Sequence, residues 1–94
     1  MASFTVRVEL HDDPTSEDYD TLHEAMENEG FSRIIKDSKG TEYHLPDAEY
    51  IISGSFTKQN VLQKAKNAAS QTGKDYSVLV TESNGRTWYN LKSI

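Results

Sequence analysis

The sequence predicts an α+β domain in which two amphipathic helices cover one face of an antiparallel sheet. Three observations carry this expectation. The stretch "SFTVRVEL" alternates strictly between apolar and polar residues; two later stretches repeat apolar residues at helical spacing behind a threonine; and "GFSRIIKDSKGTEYHLPDAEYIISG" holds two β-rich arms joined by a Lys-Gly turn. With 94 residues there is room for one modest core and not for two, so residues 1–94 are expected to form a single domain.

In the first strand Phe4, Val6, Val8 and Leu10 fall on one side and Thr5, Arg7 and Glu9 on the other, the two-residue period of a half-buried strand. "HDDPTSED" then supplies turn residues and a helix start: Thr15 can cap the amide of Asp18, and Glu17 and Asp18 suit the positive end of the helix dipole. Tyr19, Leu22, Ala25 and Met26 share one helical face and Gly30 supplies a left-handed stop, which predicts a helix from about Ser16 to Glu29.

"FSRIIKD", the turn "DSKG" and "TEYHL" read as a hairpin. Pro46 has no amide to give to a ladder, so the return arm is expected to break there and restart at "AEYIISGSF". Thr57 opens the second helix, whose stripe is Val61, Leu62, Ala65, Ala68 and Ala69 and whose stop is Gly73. "DYSVLVTES", the Asn84-Gly85 turn signal and "RTWYNL" predict a strand, a tight turn and a short last strand. The order is βαββαβ with an extra short C-terminal strand. With right-handed crossovers this is a ferredoxin-like plait, both helices on one face of the sheet and Thr5, Arg7 and Glu9 on the face left bare.

Composition narrows the function classes. The chain has no cysteine, which excludes a disulfide scaffold, a thiolate zinc site and a cysteine nucleophile. "MASFTVRVEL" lacks the basic and long apolar regions of a signal peptide and no run is long and apolar enough to span a bilayer, so a cytoplasmic protein without membrane insertion is expected. Nucleotide-binding glycine loops, GxSxG, HExxH and EF-hand loops are absent from the sequence. The net charge of −5 is uneven: residues 1–30 carry nine acids against Arg7 alone, and residues 31–94 carry nine bases against six acids. Since phosphate contacts supply most non-specific affinity for nucleic acids, a polyanion would have to meet the later two thirds of the chain. Nothing points to DNA.

The densest polar cluster is "HDDP" at the end of the first strand. Asp12 and Asp13 offer hard oxygen ligands for Mg²⁺, and His11 beside them can move a proton, the combination that phosphodiester cleavage needs. The same residues also read as a solvated turn leading into a helix cap, and both readings stand at this point. His23 and His44 have no third group visibly aimed at them and read as surface histidines. Arg33, Lys36 and Lys39 on the central hairpin, with Lys58, Lys64 and Lys66 on the second helix, are bases available to phosphate. The bare face of the first strand has no aromatic residue, which argues against base stacking in the manner of an RNA-recognition motif.

The central hairpin resembles the GhoS family of antitoxin endoribonucleases, through Phe31, Ser32, Ile34, Asp37, Gly40, Leu45 and Tyr50, while upstream "VELHDDP" is similar to the family's strand ending in Asp-x-Pro at Asp12 and Pro14. The likeness spans about residues 5 to 65. It implies a ferredoxin-like protein that cleaves single-stranded RNA, with Asp12 as metal ligand. Joined to the reading of the polar cluster, it gives an endoribonuclease with Asp12 and His11 as catalytic residues, Mg²⁺ as the ion and no other cofactor, and with Arg33 and Lys36 holding phosphate. Here the first helix is acidic and lacks the arginines of the family pattern. The alternative is a non-catalytic interaction or dimeric regulatory domain. At the C-terminus, Trp88 and Tyr89 point to opposite sides of the expected last strand, so one can pack inward while the other serves a homodimer through that edge.

Overall fold

The computed structural model describes residues 2–94. Strand β1 (Ala2–Leu10) is followed by α1 (Ser16–Asn28), β2 (Ile34–Lys36), β3 (Glu42–His44), β4 (Glu49–Gly54), α2 (Lys58–Ser70) and β5 (Tyr76–Glu82). The five strands form two antiparallel sheets, one with the order β4-β1-β5 and one made of β2 and β3. The fold is α+β as expected.

The helix boundaries follow from local chemistry. Thr15 and Asp18 form a reciprocal capping box at α1, and Thr57 and Asn60 form the same box at α2. At the other end of α1, Gly30 at φ +98° lets the Phe31 amide reach the Met26 carbonyl and its own amide reach that of Glu27, both at 3.0 Å. Those two bonds satisfy carbonyls the helix would otherwise leave open.

The core lies between the helices and one face of the three-stranded sheet. Phe4, Val6 and Val8 from β1, Tyr50 and Ile52 from β4, Leu22, Ala25 and Met26 from α1, and Val61, Ala65, Ala68 and Ala69 from α2 are buried together. Each large side chain among them contributes about 1.5 to 3 kcal/mol. Small residues on α2 let it lie close to the sheet, and Tyr76, Val78 and Val80 extend the core along β5.

Three expectations are corrected. The strands do not share one sheet: the second arm breaks at Pro46 and restarts as expected, but the chain turns through Ala48, at φ +62°, and β4 joins a different sheet from β3. A lone bridge between Ser32 and Ile51 is what remains of pairing between the first arm and β4. "RTWYNL" does not form the expected last strand. Ser83 accepts the Gly85 amide through its side chain at 3.2 Å, Asn84 keeps a negative φ, and the chain leaves the β5 edge instead of folding back along it. Residues 83–94 cross the supposedly bare face. Arg86 Nε donates to Thr5 Oγ1 at 2.8 Å and its Nη2 to Ser3 Oγ at 3.1 Å. The segment then docks beside β3, where the His44 amide donates to the Lys92 carbonyl and the Ile94 amide to that of Glu42. The expectation of one aromatic inward and one outward holds: Trp88 packs edge-on against Tyr43, and Tyr89 is 92% exposed.

Candidate functional site

The residue parity of β1 places Thr5, Arg7, Glu9 and His11 on the face turned away from the helices. His11 ends that row. Its amide donates to the Asp75 carbonyl at 2.8 Å, which fastens the end of β1 to the loop before β5. The imidazole Nε2 lies 2.8 Å from Ser77 Oγ and 3.8 Å from Glu9 Oε1, with 38% of the side chain exposed. A ring held by a hydroxyl on one nitrogen and still open to solvent can exchange a proton with a bound molecule.

Directly after it the backbone turns sharply. Asp12 and Asp13 adopt φ of +62° and +59°, two consecutive left-handed residues, a conformation that aspartate tolerates better than most side chains and that costs energy all the same. Lys74 Nζ donates to the Asp12 carbonyl at 3.0 Å, so the ammonium sits at this turn. Both aspartates are exposed. Asp18, one turn further, is committed to the helix cap, and its bond from the Thr15 amide, more than the Thr15 hydroxyl, holds its carboxyl below the usual range.

The structure therefore joins His11 and Asp12 to Ser77 and Lys74, which lie more than sixty residues away in sequence. Neither of these partners was singled out from the sequence, because pairing between the two ends of the chain leaves no local trace. Arg33 and Lys36 lie elsewhere. Arg33 lines a cleft of about 390 Å³ with Glu27, Phe31, Ser32 and His44. Lys36, whose Nζ is 3.7 Å from Glu42 Oε2, lines another of about 480 Å³ with Asp37, Arg86 and Trp88. Neither cleft is lined by His11 or Asp12. The second brings together two cations and an aromatic ring that are remote in sequence, and burial draws the Arg86 guanidinium below its ordinary value.

His23 departs from the surface reading. It is half-buried, and its Nδ1 lies 2.6 Å from the hydroxyl of Tyr50, itself fully buried. Beside this pair a cleft of about 480 Å³ is lined by Arg7, Glu9, Tyr19, Asp20 and Asp47, a set with three carboxylates that does not suit phosphate.

For Mg²⁺, among the described residues no three His, Asp or Glu side chains converge. Asp12 and Asp13 are hard oxygen donors, and Mg²⁺ commonly keeps most of its waters and takes one or two carboxylates together with substrate phosphate. The donor set matches that mode and no more elaborate one. Among the described residues no helix is long and apolar enough to cross a membrane. No protein-family model matches the chain, and no curated protein matches it.

Proposed function

We propose that this protein is a GhoS-like endoribonuclease acting on single-stranded RNA as an antitoxin, with the part of the sheet face that residues 83–94 leave uncovered as the RNA track. The observation that carries the reading is the half-exposed His11 imidazole, held by Ser77 beside Asp12 and Lys74 at the end of β1. The strand arrangement supports it too: we read β4-β1-β5, with Ser32 bridged to the far side of β4, as a ferredoxin-like plait whose fourth strand is drawn off into the β2-β3 hairpin. At the other end of the track, Lys36 and Arg86 supply charge and Trp88 a stacking surface, a combination suited to single strands. Thr5 on β1 and His11 just past its end are six residues apart, about 20 Å, a span that a few nucleotides cover.

In the reaction, His11 takes the proton from the hydroxyl that attacks phosphorus; as the P–O bond to the leaving oxygen breaks, that oxygen takes up a proton from water, while Ser77 fixes the orientation of the ring. The Lys74 ammonium stabilises charge developing on the phosphoryl oxygens. Asp12 and Asp13 would hold Mg²⁺, which when bound neutralises phosphate charge. The acidic α1 stays off the track.

The test is incubation of purified protein with labelled single-stranded RNA, with Mg²⁺ and with a chelator. Cleavage is expected in wild type, with His11→Ala and Asp12→Ala at least about 10²-fold slower, the low end of what a general base contributes. No cleavage under either condition, or undiminished cleavage by Asp12→Ala, overturns the mechanism. A second reading, a non-catalytic interaction domain, is favoured by the unpartnered edge of β5, and the same assay separates the two.

A further inference from the structure

From the backbone of β5 we infer that two copies of this chain pair through that strand, with a two-fold axis at Leu79. β5 is the outer strand of its sheet, and the direction of its free groups follows from two bonds. Ser83 N–H donates to the Ser3 carbonyl at 2.7 Å and His11 N–H to the Asp75 carbonyl at 2.8 Å. With the β1-β5 register between them unbroken from Phe4↔Glu82 to Leu10↔Tyr76, the odd residues of β5 bond to β1 and the even ones point outward. Tyr76, Val78, Val80 and Glu82 thus present their N–H and C=O groups to the open edge.

Edge strands are ordinarily blunted by lysine, proline, a bulge or a covering segment. β5 has none of the first three, and its one charged residue is Glu82 at the end. The crossing segment that begins at Ser83 passes over the β1 face and leaves this edge uncovered. Leu79, in the middle of the strand on the open face, is 64% exposed.

The sequence of β5 fits itself. In an antiparallel pair centred on Leu79, Val78 faces Val80 of the second copy, Tyr76 faces Glu82 and Ser77 faces Thr81. The pairs 78–80 and 76–82 are the hydrogen-bonded ones, so this register uses all the outward groups at once; centring on Val78 instead leaves those of Glu82 unmet. The two Leu79 side chains meet across a non-hydrogen-bonded pair, where Cβ atoms approach to about 5 Å, and cover one another. No like charges face each other within the strand. The valines and the Tyr76 rings extend the two cores towards the axis, and the product is one six-stranded sheet with all four helices on one side. The pairing is independent of the RNA reading and differs from a dimer through Tyr89.

The interface is small, so association is expected to depend on concentration between about 10 µM and 1 mM. Sedimentation of wild type, Leu79→Lys and Tyr89→Lys across that range tests it. Wild type and Tyr89→Lys should shift from the 10.6 kDa chain mass towards twice that value. Leu79→Lys, which sets two ammonium groups face to face while changing a residue already exposed in the single chain, should associate at least tenfold more weakly. Amide exchange at Val78 and Val80 should slow as wild type associates. A monomeric wild type throughout, a Leu79→Lys protein that dimerises as wild type does, or exchange at Val78 and Val80 that ignores concentration would each overturn the pairing.

Discussion

His23 Nδ1 and the Tyr50 hydroxyl lie 2.6 Å apart, a bond that ties the flank of α1 to the start of β4. Burial, more than any neighbouring charge, holds the Tyr50 phenol above its ordinary value, so it keeps its proton and needs a partner. Tyr50→Phe removes one hydrogen bond and is expected to cost about 1 kcal/mol. His23→Ala leaves the buried hydroxyl alone and should cost more, about 1 to 3 kcal/mol. Urea unfolding of both variants checks the order; a His23→Ala protein more stable than Tyr50→Phe would show that water replaces the imidazole without loss.

The same pair predicts acid sensitivity. Burial first, and the Arg33 charge second, hold His23 below the ordinary imidazole value of 6.5, against the opposing pull of Asp20, Asp47 and Glu27. The unfolded chain therefore takes up this proton at a higher pH than the folded one. This contribution to stability is complete above the ordinary value and is lost as the pH falls below it towards the folded value. Unfolding free energy measured from pH 7 down to pH 5 should fall less steeply for His23→Gln than for wild type; parallel curves would remove His23 as the source.

Lys74 is placed to act on reaction rate more than on folding, since the one hydrogen bond of its ammonium is to a carbonyl at an exposed turn. Lys74→Met should leave the unfolding midpoint nearly unchanged and slow RNA cleavage by about 10²-fold, the loss typical when one stabilising donor is removed. Equal cleavage by the variant would exclude a role for it.

The fold was legible where the signals are local. Thr15 with Asp18, Thr57 with Asn60, and Gly30 each specify a helix end through atoms within a few residues, and β1 announces its buried face by alternation. The misreadings lie where distant groups decide. Asn84-Gly85 carries a hairpin signal, yet the Ser83 side chain captures the turn and Arg86 is drawn to Ser3 and Thr5, more than eighty residues back. In the candidate site, His11 and Asp12 were legible as a polar cluster, whereas Ser77 and Lys74 reach them only because β5 pairs with β1.

Trp88 gives a separate test of the crossing segment. Its ring is half-buried against Tyr43, so Trp88→Ala is expected to destabilise by about 2 kcal/mol. Tyr89→Ala, at a neighbouring position that is 92% exposed, should stay within about 0.5 kcal/mol of wild type. A chain ending at Ser83 should lose at least as much as Trp88→Ala; unchanged stability on truncation would mean that the segment contributes nothing to the fold.

The docking of residues 92–94 beside β3 also bears on the order in which the protein assembles. The β2-β3 hairpin closes over a handful of residues and can form within microseconds. Among the described residues, its bonded neighbour on the far side of β3 comes roughly fifty residues later in the chain. On a ribosome, the hairpin emerges long before that neighbour, and during this interval the outer backbone of β3 is open to whatever strand comes near. Fixing the hairpin in place is thus a late, long-range event, and rapid mixing with Trp88 fluorescence should register it as a phase that follows collapse of the helices onto the three-stranded sheet.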